Sequence, residues 1–286
     1  MSIIKLRSLI VEDRYSDIET YVQTVAPVLK SKCPTSVAAY INPVGVKFYR
    51  GIRSFEAVIR HHPQLKFRKS KDSNNISLLF SGINPDWKDI PKRYNSVVFS
   101  NDEDVAAEYG TSVYDVFVEG TDPLIAVGTE KDNYENYRRG LKKAGGHTTS
   151  IENLDVRLAG LMRLIIPDGD VLDFTTMTSP NELKSALDML DQELSELPEA
   201  DLKEKLREGI GPYDAVVHNY LGIAMAIQRD GTEHYLRTIF DPETNGIQTI
   251  KLSNFSKVPV DLEAWTDQPV YLVRSKFRQE LTRFLQ

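Results

Sequence analysis

Residues whose side chains could bind a ligand or take part in catalysis lie at the ends of short β-like segments in separate parts of the chain. Arg50 ends the run "VGVKFYR" just before Gly51, and Glu233 follows an Asp-Gly pair in "RDGTEHY". Ser96 and Ser100 share one strand face, because side chains alternate with a period of two. Arginine can bind phosphate through two parallel hydrogen bonds, and a carboxylate can stabilise a developing positive charge. The ordinary alternatives are a salt-bridged arginine, locally bonded hydroxyls and a solvent-facing glutamate.

Short strands toward both ends of the chain are expected to position these side chains. Residues 44–50 alternate like a strand that ends at Arg50, and an Asp-Gly pair between two apolar runs is a strong hairpin signal. Asn101 or Asp102 is predicted to cap a short helix that Gly110 ends. The remaining predicted elements are a helix in "SDIETYVQTVAPVLKSK", strands at "SVVFS", "SVYDVFVEG", "DPLIAV" and "VYLV", a β-hairpin over 213–252, and a C-terminal helix in "KFRQELTRFLQ".

The middle of the chain, at about 131–210, has the spacing of helices. Leucines recur every three or four residues from Leu183 to Leu197, which predicts a helix with one packing face rather than a coiled coil, since two heptads are too few. Strands on both sides of this helical stretch predict an α+β fold. We therefore expect one domain over residues 1–286, with a helical insert at about 131–210.

Composition narrows the classes of function. A net charge of −6 over 286 residues argues against non-specific binding to a nucleic-acid backbone. Cys33 is the single cysteine, and the five histidines show no ligand spacing, so neither a disulfide nor a metal is expected. No phosphate loop, dinucleotide-binding glycine pattern or nucleophile elbow is present. No signal peptide or spanning segment is apparent, so a cytoplasmic protein without a membrane partner is expected, in the host cytoplasm if the protein is viral.

Three segments taken together resemble the ADP-ribosyltransferase superfamily of the arginine-serine-glutamate type. They are "FYRGI" (48–52), "SVVFSNDEDVAAEYG" (96–110) and "TEHYLRTIFDPETNGI" (232–247). The resemblance covers about 45–125 and 211–250. It implies two small β-sheets that form an NAD cleft, with the helical stretch as an insertion. It also implies transfer of ADP-ribose from NAD to an acceptor, with release of nicotinamide.

The resemblance also implies roles for individual side chains. Arg50 would anchor the pyrophosphate and ribose, and Glu233 would stabilise the cationic ribose that forms when nicotinamide leaves. Ser100, or alternatively Ser96, would orient that glutamate, and Tyr109 would stack on the nicotinamide ring. The expected catalytic residues are thus Glu233, Ser100 and Arg50, and the expected NAD-binding residues are Arg50, Gly51, Ser96, Ser100 and Tyr109.

The acceptor stays open at this stage. Family members that modify arginine usually carry Gln or Glu two residues before the catalytic glutamate, and here position 231 is Gly. A macromolecular acceptor is expected, with protein favoured over nucleic acid. The alternatives are an NAD glycohydrolase, in which water is the acceptor, and a non-catalytic binding or structural protein on the same scaffold.

Overall fold

The fold is α+β, with helices and one antiparallel sheet. It was analysed in a computed structural model that describes residues 18–63, 75–128, 137–148, 150–166, 176–211, 213–257 and 262–286. Within these ranges, every helix is too short or too polar to cross a lipid bilayer.

Eight strands form the sheet in the order β2-β8-β4-β1-β3-β7-β5-β6. Their bounds are β1 Tyr49–Ile52, β2 Val58–His61, β3 Val97–Ser100, β4 Ser112–Val118, β5 Leu124–Val127, β6 Gln248–Lys251, β7 Glu263–Thr266 and β8 Val270–Arg274. The predicted strands at 96–100, 112–118, 124–127 and 270–274 are therefore confirmed. The strand that was expected over 44–50 instead begins at Tyr49 and continues to Ile52, so Arg50 does not end it, and Val44 is 85% exposed.

The junction between β1 and β3, at the centre of the sheet, consists of one residue pair. β4 pairs with β1 at four positions and β3 pairs with β7 at four, whereas β1 and β3 pair only at Tyr49 opposite Ser100. The described strands thus form one sheet of two four-stranded halves joined by a single residue pair, where two separate small sheets were expected.

Eleven α-helices lie within the described residues. Their bounds are α1 Ile18–Lys32, α2 Pro34–Ile41, α3 Asn75–Ile83, α4 Glu103–Ala107, α5 Arg138–Lys143, α6 Ile151–Ile165, α7 Pro180–Ser195, α8 Glu199–Ile210, α9 Asp214–Asp230, α10 Thr232–Phe240 and α11 Arg278–Leu285. The predicted helices at α4, in the middle of the chain and at the C-terminus are confirmed. Asp102 caps α4 by accepting from the Asp104 and Val105 backbone N–H groups.

The predicted β-hairpin after residue 212 is wrong, because α9 and α10 occupy most of it and only β6 is a strand. Gly231, the glycine of the Asp-Gly pair, has φ +83° and lies between the two helices. Its N–H bonds to the Ile227 carbonyl and its carbonyl accepts from the Tyr235 N–H. A left-handed glycine ends a helix as readily as it makes a hairpin turn, so the same dipeptide fits both structures.

The chain divides into two compact units, one formed by residues 1–62, 97–125 and 250–286 and the other by 63–96 and 126–249. In the first unit, Asp115 of β4 is a buried carboxylate that holds several elements. It accepts from Tyr40 Oη at 2.7 Å, Ser275 Oγ at 2.9 Å and Arg278 Nη2 at 2.8 Å. Arg278 also donates twice to Glu103 of α4, at 2.9 Å each. Although burial opposes it, these bonds raise the pKa of Arg278.

The second unit is a helical assembly around the predicted leucine face of α7. The α7 leucines at 183, 187, 190 and 194 are buried, which confirms that this face packs. Gln228 of α9 donates to the Leu194 and Leu197 carbonyls at 2.8 and 2.7 Å. Asp155 of α6 is also buried, and neither of its carboxylate oxygens has a hydrogen-bond partner among the described residues. Burial raises the pKa of Asp155 well above its usual range, and Glu152 adds to the effect.

The Asp115 cluster makes a prediction for stability. Arg278→Ala is expected to lower the free energy of unfolding by about 3–5 kcal/mol, because it leaves a buried carboxylate without its cation. The matched control Arg283→Ala removes an exposed arginine from the same helix and should change stability by less than about 0.5 kcal/mol. Urea unfolding measures both variants. Equal stabilities would mean that Tyr40 and Ser275 satisfy Asp115 without help.

Asp155 makes a prediction for pH dependence. The pKa of Asp155 is higher in the folded chain than in the unfolded chain. Between these two pKa values the folded chain keeps a proton that the unfolded chain has released, so rising pH destabilises the fold. This penalty grows by up to about 1.4 kcal/mol per pH unit above the unfolded pKa of roughly 4. Asp155→Asn should therefore be more stable than the wild type at pH 7, by more than at pH 5. Thermal unfolding across pH measures this, and parallel pH profiles for the two proteins would refute it.

Candidate functional site

Three side chains meet in one row across the centre of the sheet. Tyr49 of β1 is paired with Ser100 of β3, and Ser100 is paired with Glu263, the first residue of β7. Directly paired residues project to the same face of a sheet, with Cβ atoms about 4.5–5.5 Å apart. The structure therefore brings a hydroxyl and a carboxylate together at the single-pair junction of the two half-sheets, and the carboxylate is Glu263.

Arg50 lies beside this row. It follows Tyr49, so its side chain leaves β1 from the other face, but its Nη1 donates to the Val98 carbonyl of β3. Burial lowers the pKa of Arg50 to about 10, and the negative charge of Glu263 opposes that shift. Arg50 stays cationic at neutral pH, and its charge is held in a poorly solvated place next to a carboxylate. Poor solvation strengthens the attraction between this cation and a bound anion, whereas the neighbouring carboxylate of Glu263 opposes it.

The two candidate serines have local partners. Ser100 is buried, and its Oγ accepts from the Asp102 N–H at 3.0 Å. This bond uses an oxygen lone pair, so the hydroxyl proton can be donated to a neighbour or a ligand. Ser96 lies before β3, and its Oγ donates to the Arg93 carbonyl at 3.0 Å. Of the two, Ser100 is the one that the register places beside Glu263.

Glycines let α4 lie directly against β1. A Cβ at Gly51 would fall 1.9 Å from the Ala106 carbonyl oxygen of α4, and one at Gly110 would fall 2.2 Å from the Ile52 nitrogen. Gly51 therefore serves this close packing, whatever it does for a ligand. Tyr109, which precedes Gly110, is 67% exposed and lies next to the end of β1.

Asn101 holds the start of β7. Its Oδ1 accepts from the Leu262 N–H at 3.1 Å, one residue beyond the Ser100–Glu263 pair. The side chain thereby extends the β3–β7 ladder past its last residue pair. This bond fixes the backbone immediately before Glu263, so Asn101 is a positioning residue for that carboxylate.

Glu233 lies on a helix, whereas a place on a β-hairpin strand was expected. It lies in the first turn of α10, in the second unit, whereas Arg50, Ser100 and Glu263 all belong to the first. Its side chain is 48% exposed and forms an ion pair with Lys184 of α7 at 3.6 Å. An exposed ion pair between helices is an ordinary surface feature.

Glu263 is the residue that sequence reasoning missed. The segment "EAWT" holds only two apolar residues and is too short to stand out as a strand, and nothing in it reveals pairing with a segment more than 160 residues earlier. One available signal was a glutamate that opens a short segment just before the well-marked strand "VYLVR".

The described residues contain no group of three or more His, Cys, Asp or Glu side chains suited to a metal ion. Comparison of the chain with models of known protein families, with curated proteins and with solved structures gave no match. The case for function therefore depends on the site itself.

The role of Asn101 can be measured without any substrate. Asn101→Ala removes the acceptor for the Leu262 N–H, and we expect that amide to exchange its hydrogen at least about tenfold faster, with little change in global stability. Asn101→Asp keeps an acceptor oxygen and is the matched control, which should retain protection. Unchanged exchange at Leu262 in Asn101→Ala would show that another group holds the start of β7.

Proposed function

We propose that the chain is an NAD-dependent mono-ADP-ribosyltransferase whose catalytic glutamate is Glu263. The observation that carries the proposal is the row of Tyr49, Ser100 and Glu263 with Arg50 beside it. The resemblance calls for an arginine at a strand end, a serine-bearing strand and a later glutamate; residues of these three types are neighbours here, although Arg50 lies within β1 and not at its end.

The proposal extends to the fold. The two four-stranded halves, joined at one residue pair, would correspond to the two small sheets of the ADP-ribosyltransferase fold. The NAD cleft would then open where β1 and β3 part, next to Arg50. The helical stretch would be the insertion.

Each residue would act on a different part of NAD. Arg50 would bind the negatively charged pyrophosphate through its guanidinium. The bond between the nicotinamide nitrogen and ribose C1′ would break, with its electron pair leaving on nicotinamide. Glu263 would stabilise the positive charge left on the ribose, as a carboxylate does in glycoside hydrolysis. Ser100 would orient the Glu263 carboxylate, and the exposed Tyr109 would offer a ring for nicotinamide to stack on.

The acceptor would then form a new bond to C1′ and release a proton. Asp261 stands two residues before Glu263, so neither Gln nor Glu occupies the position that marks arginine-modifying relatives. Asp261 lies outside the described residues. The proposal therefore leaves the acceptor as a macromolecule, with protein favoured.

A pair of glutamate variants tests the assignment. Glu263→Gln keeps the size of the side chain but removes its charge, so turnover should fall by about a hundredfold or more while NAD affinity stays near that of the wild type. Glu233→Gln makes the same chemical change at an exposed residue of α10 and is the matched control. Nicotinamide release measures turnover, and calorimetric titration measures NAD binding.

Three outcomes decide between the candidate functions. Label from NAD that appears on a macromolecule in cell lysate supports the transferase, and free ADP-ribose formed without lysate supports the glycohydrolase. NAD binding without cleavage supports a binding module on the same scaffold. A large loss of turnover in Glu233→Gln alone would return the catalytic role to that residue.

A further inference from the structure

The second unit contains a cavity of about 780 Å³ that is separate from the row at Glu263. The end of α5, the segment through His147, α9 and α10 line it. Leu221, Met225 and Ala226 supply an apolar wall on α9. Glu233 is not among the lining residues, whereas its neighbours His234 and Tyr235 are.

The polar lining is mostly basic. Five side chains that carry or can take up positive charge line the cavity: Lys143, His147, His218, Arg229 and His234. Asp230 is the one acid among the described residues of the lining, and Arg229 already binds it through Nε and Nη2. Lys143 lies 3.9 Å from Asp241, which is therefore also matched by a cation. Arg229 and Lys143, the two permanent cations of the lining, are thus each paired with one carboxylate, and the three histidines are its further basic groups.

His147 is held in place in this lining. A Cβ at Gly222 of α9 would fall 2.4 Å from His147 Nδ1, and one at Gly145 would fall 2.9 Å from Nε2. The two glycines thus leave room for the imidazole. Arg157 of α6 donates to the His147 carbonyl and fixes its backbone.

The electrostatic setting of His147 favours an anion. Burial lowers the pKa of His147, and His218 and Arg157 lower it further. Nearby positive charge therefore disfavours protonation of His147, whereas a bound anion would favour it. The charged and titratable groups around His147 are Lys143 of α5, Arg157 of α6, His218, Arg229 and Asp230 of α9, and His234 of α10.

We propose that this cavity binds a small molecule that carries a phosphate group on an apolar body. The phosphate would lie among the three histidines and Lys143, where several donors can reach its oxygens, and the apolar part would contact Leu221 and Met225. A carboxylate offers two acceptor oxygens and fewer bonds to the same donors, so phosphate is the better match. The site is independent of NAD cleavage.

Sulfate is the probe of choice, since it resembles a phosphate group but keeps the same charge between pH 6 and pH 8. Histidine C–H signals of the full chain are followed by NMR at constant ionic strength. We expect signals of His147, His218 and His234 to shift with one common dissociation constant, while those of His61 and His62 in the first unit do not. Affinity should rise about fivefold from pH 8 to pH 6, because histidine protonation is coupled to anion binding.

Neighbouring lysines of α5 provide matched variants. Lys143 lines the cavity and Lys142 does not, although both are exposed and carry the same charge. Lys143→Gln should weaken sulfate binding about tenfold, as expected for the loss of a charge-assisted bond, and Lys142→Gln by less than about twofold. Inorganic phosphate should compete with sulfate. The proposal would be overturned by shifts that do not saturate or that His61 and His62 share. Equal losses of sulfate affinity in the two lysine variants would also overturn it.

Discussion

The buried carboxylate of Asp115 is the constraint on which the first unit depends. A charge at 1% exposure is tolerated only where hydrogen bonds and an opposite charge replace its water, and two segments distant in sequence provide them. Tyr40 comes from α2, Ser275 and Arg278 from the C-terminal segment, and Glu103 joins through Arg278 from α4. The cluster therefore holds α2, α4 and α11 in place, and none of these helices carries a charged residue of the candidate site.

Two contacts connect this cluster to the row at Glu263. Glu103 opens α4, and α4 lies against β1 so closely that Gly51 and Gly110 have no room for a side chain. Asp102, which caps α4, also donates its backbone N–H to Ser100. The five-residue helix α4 thus connects Arg278 to the site. An ion pair holds its first residue, and close packing against β1 holds its side. A short helix of this kind has little stability of its own and needs both constraints.

Local signals in the sequence predict the half of the site that consists of β1, β3 and α4. The alternation before Ser100 and the Asp102 cap each reflect local structure within a few residues, so they can be read directly, whereas Gly51 is needed for packing against Ala106 of α4. Glu263 could not be found in this way, because its place depends on strand register between distant segments. The error at 213–240 has a different cause. Its apolar residues and its Asp-Gly pair suit a hairpin and a pair of helices equally well, and only packing in the second unit, such as Gln228 against the end of α7, favours the helices.

The two glutamates show why residue type alone does not define a site. Glu233 lies in the first turn of α10 and Glu263 is the first residue of β7, and both have a cation nearby. Lys184 is exposed beside Glu233, and water screens this ion pair. Glu233 would therefore stabilise a positive charge on a ligand only weakly. Arg50 is partly buried beside Glu263, so charges there interact more strongly. A reaction that separates a neutral leaving group from a cationic sugar next to an anionic pyrophosphate needs both signs of charge held in this way, and of the two glutamates Glu263 is the one with such surroundings.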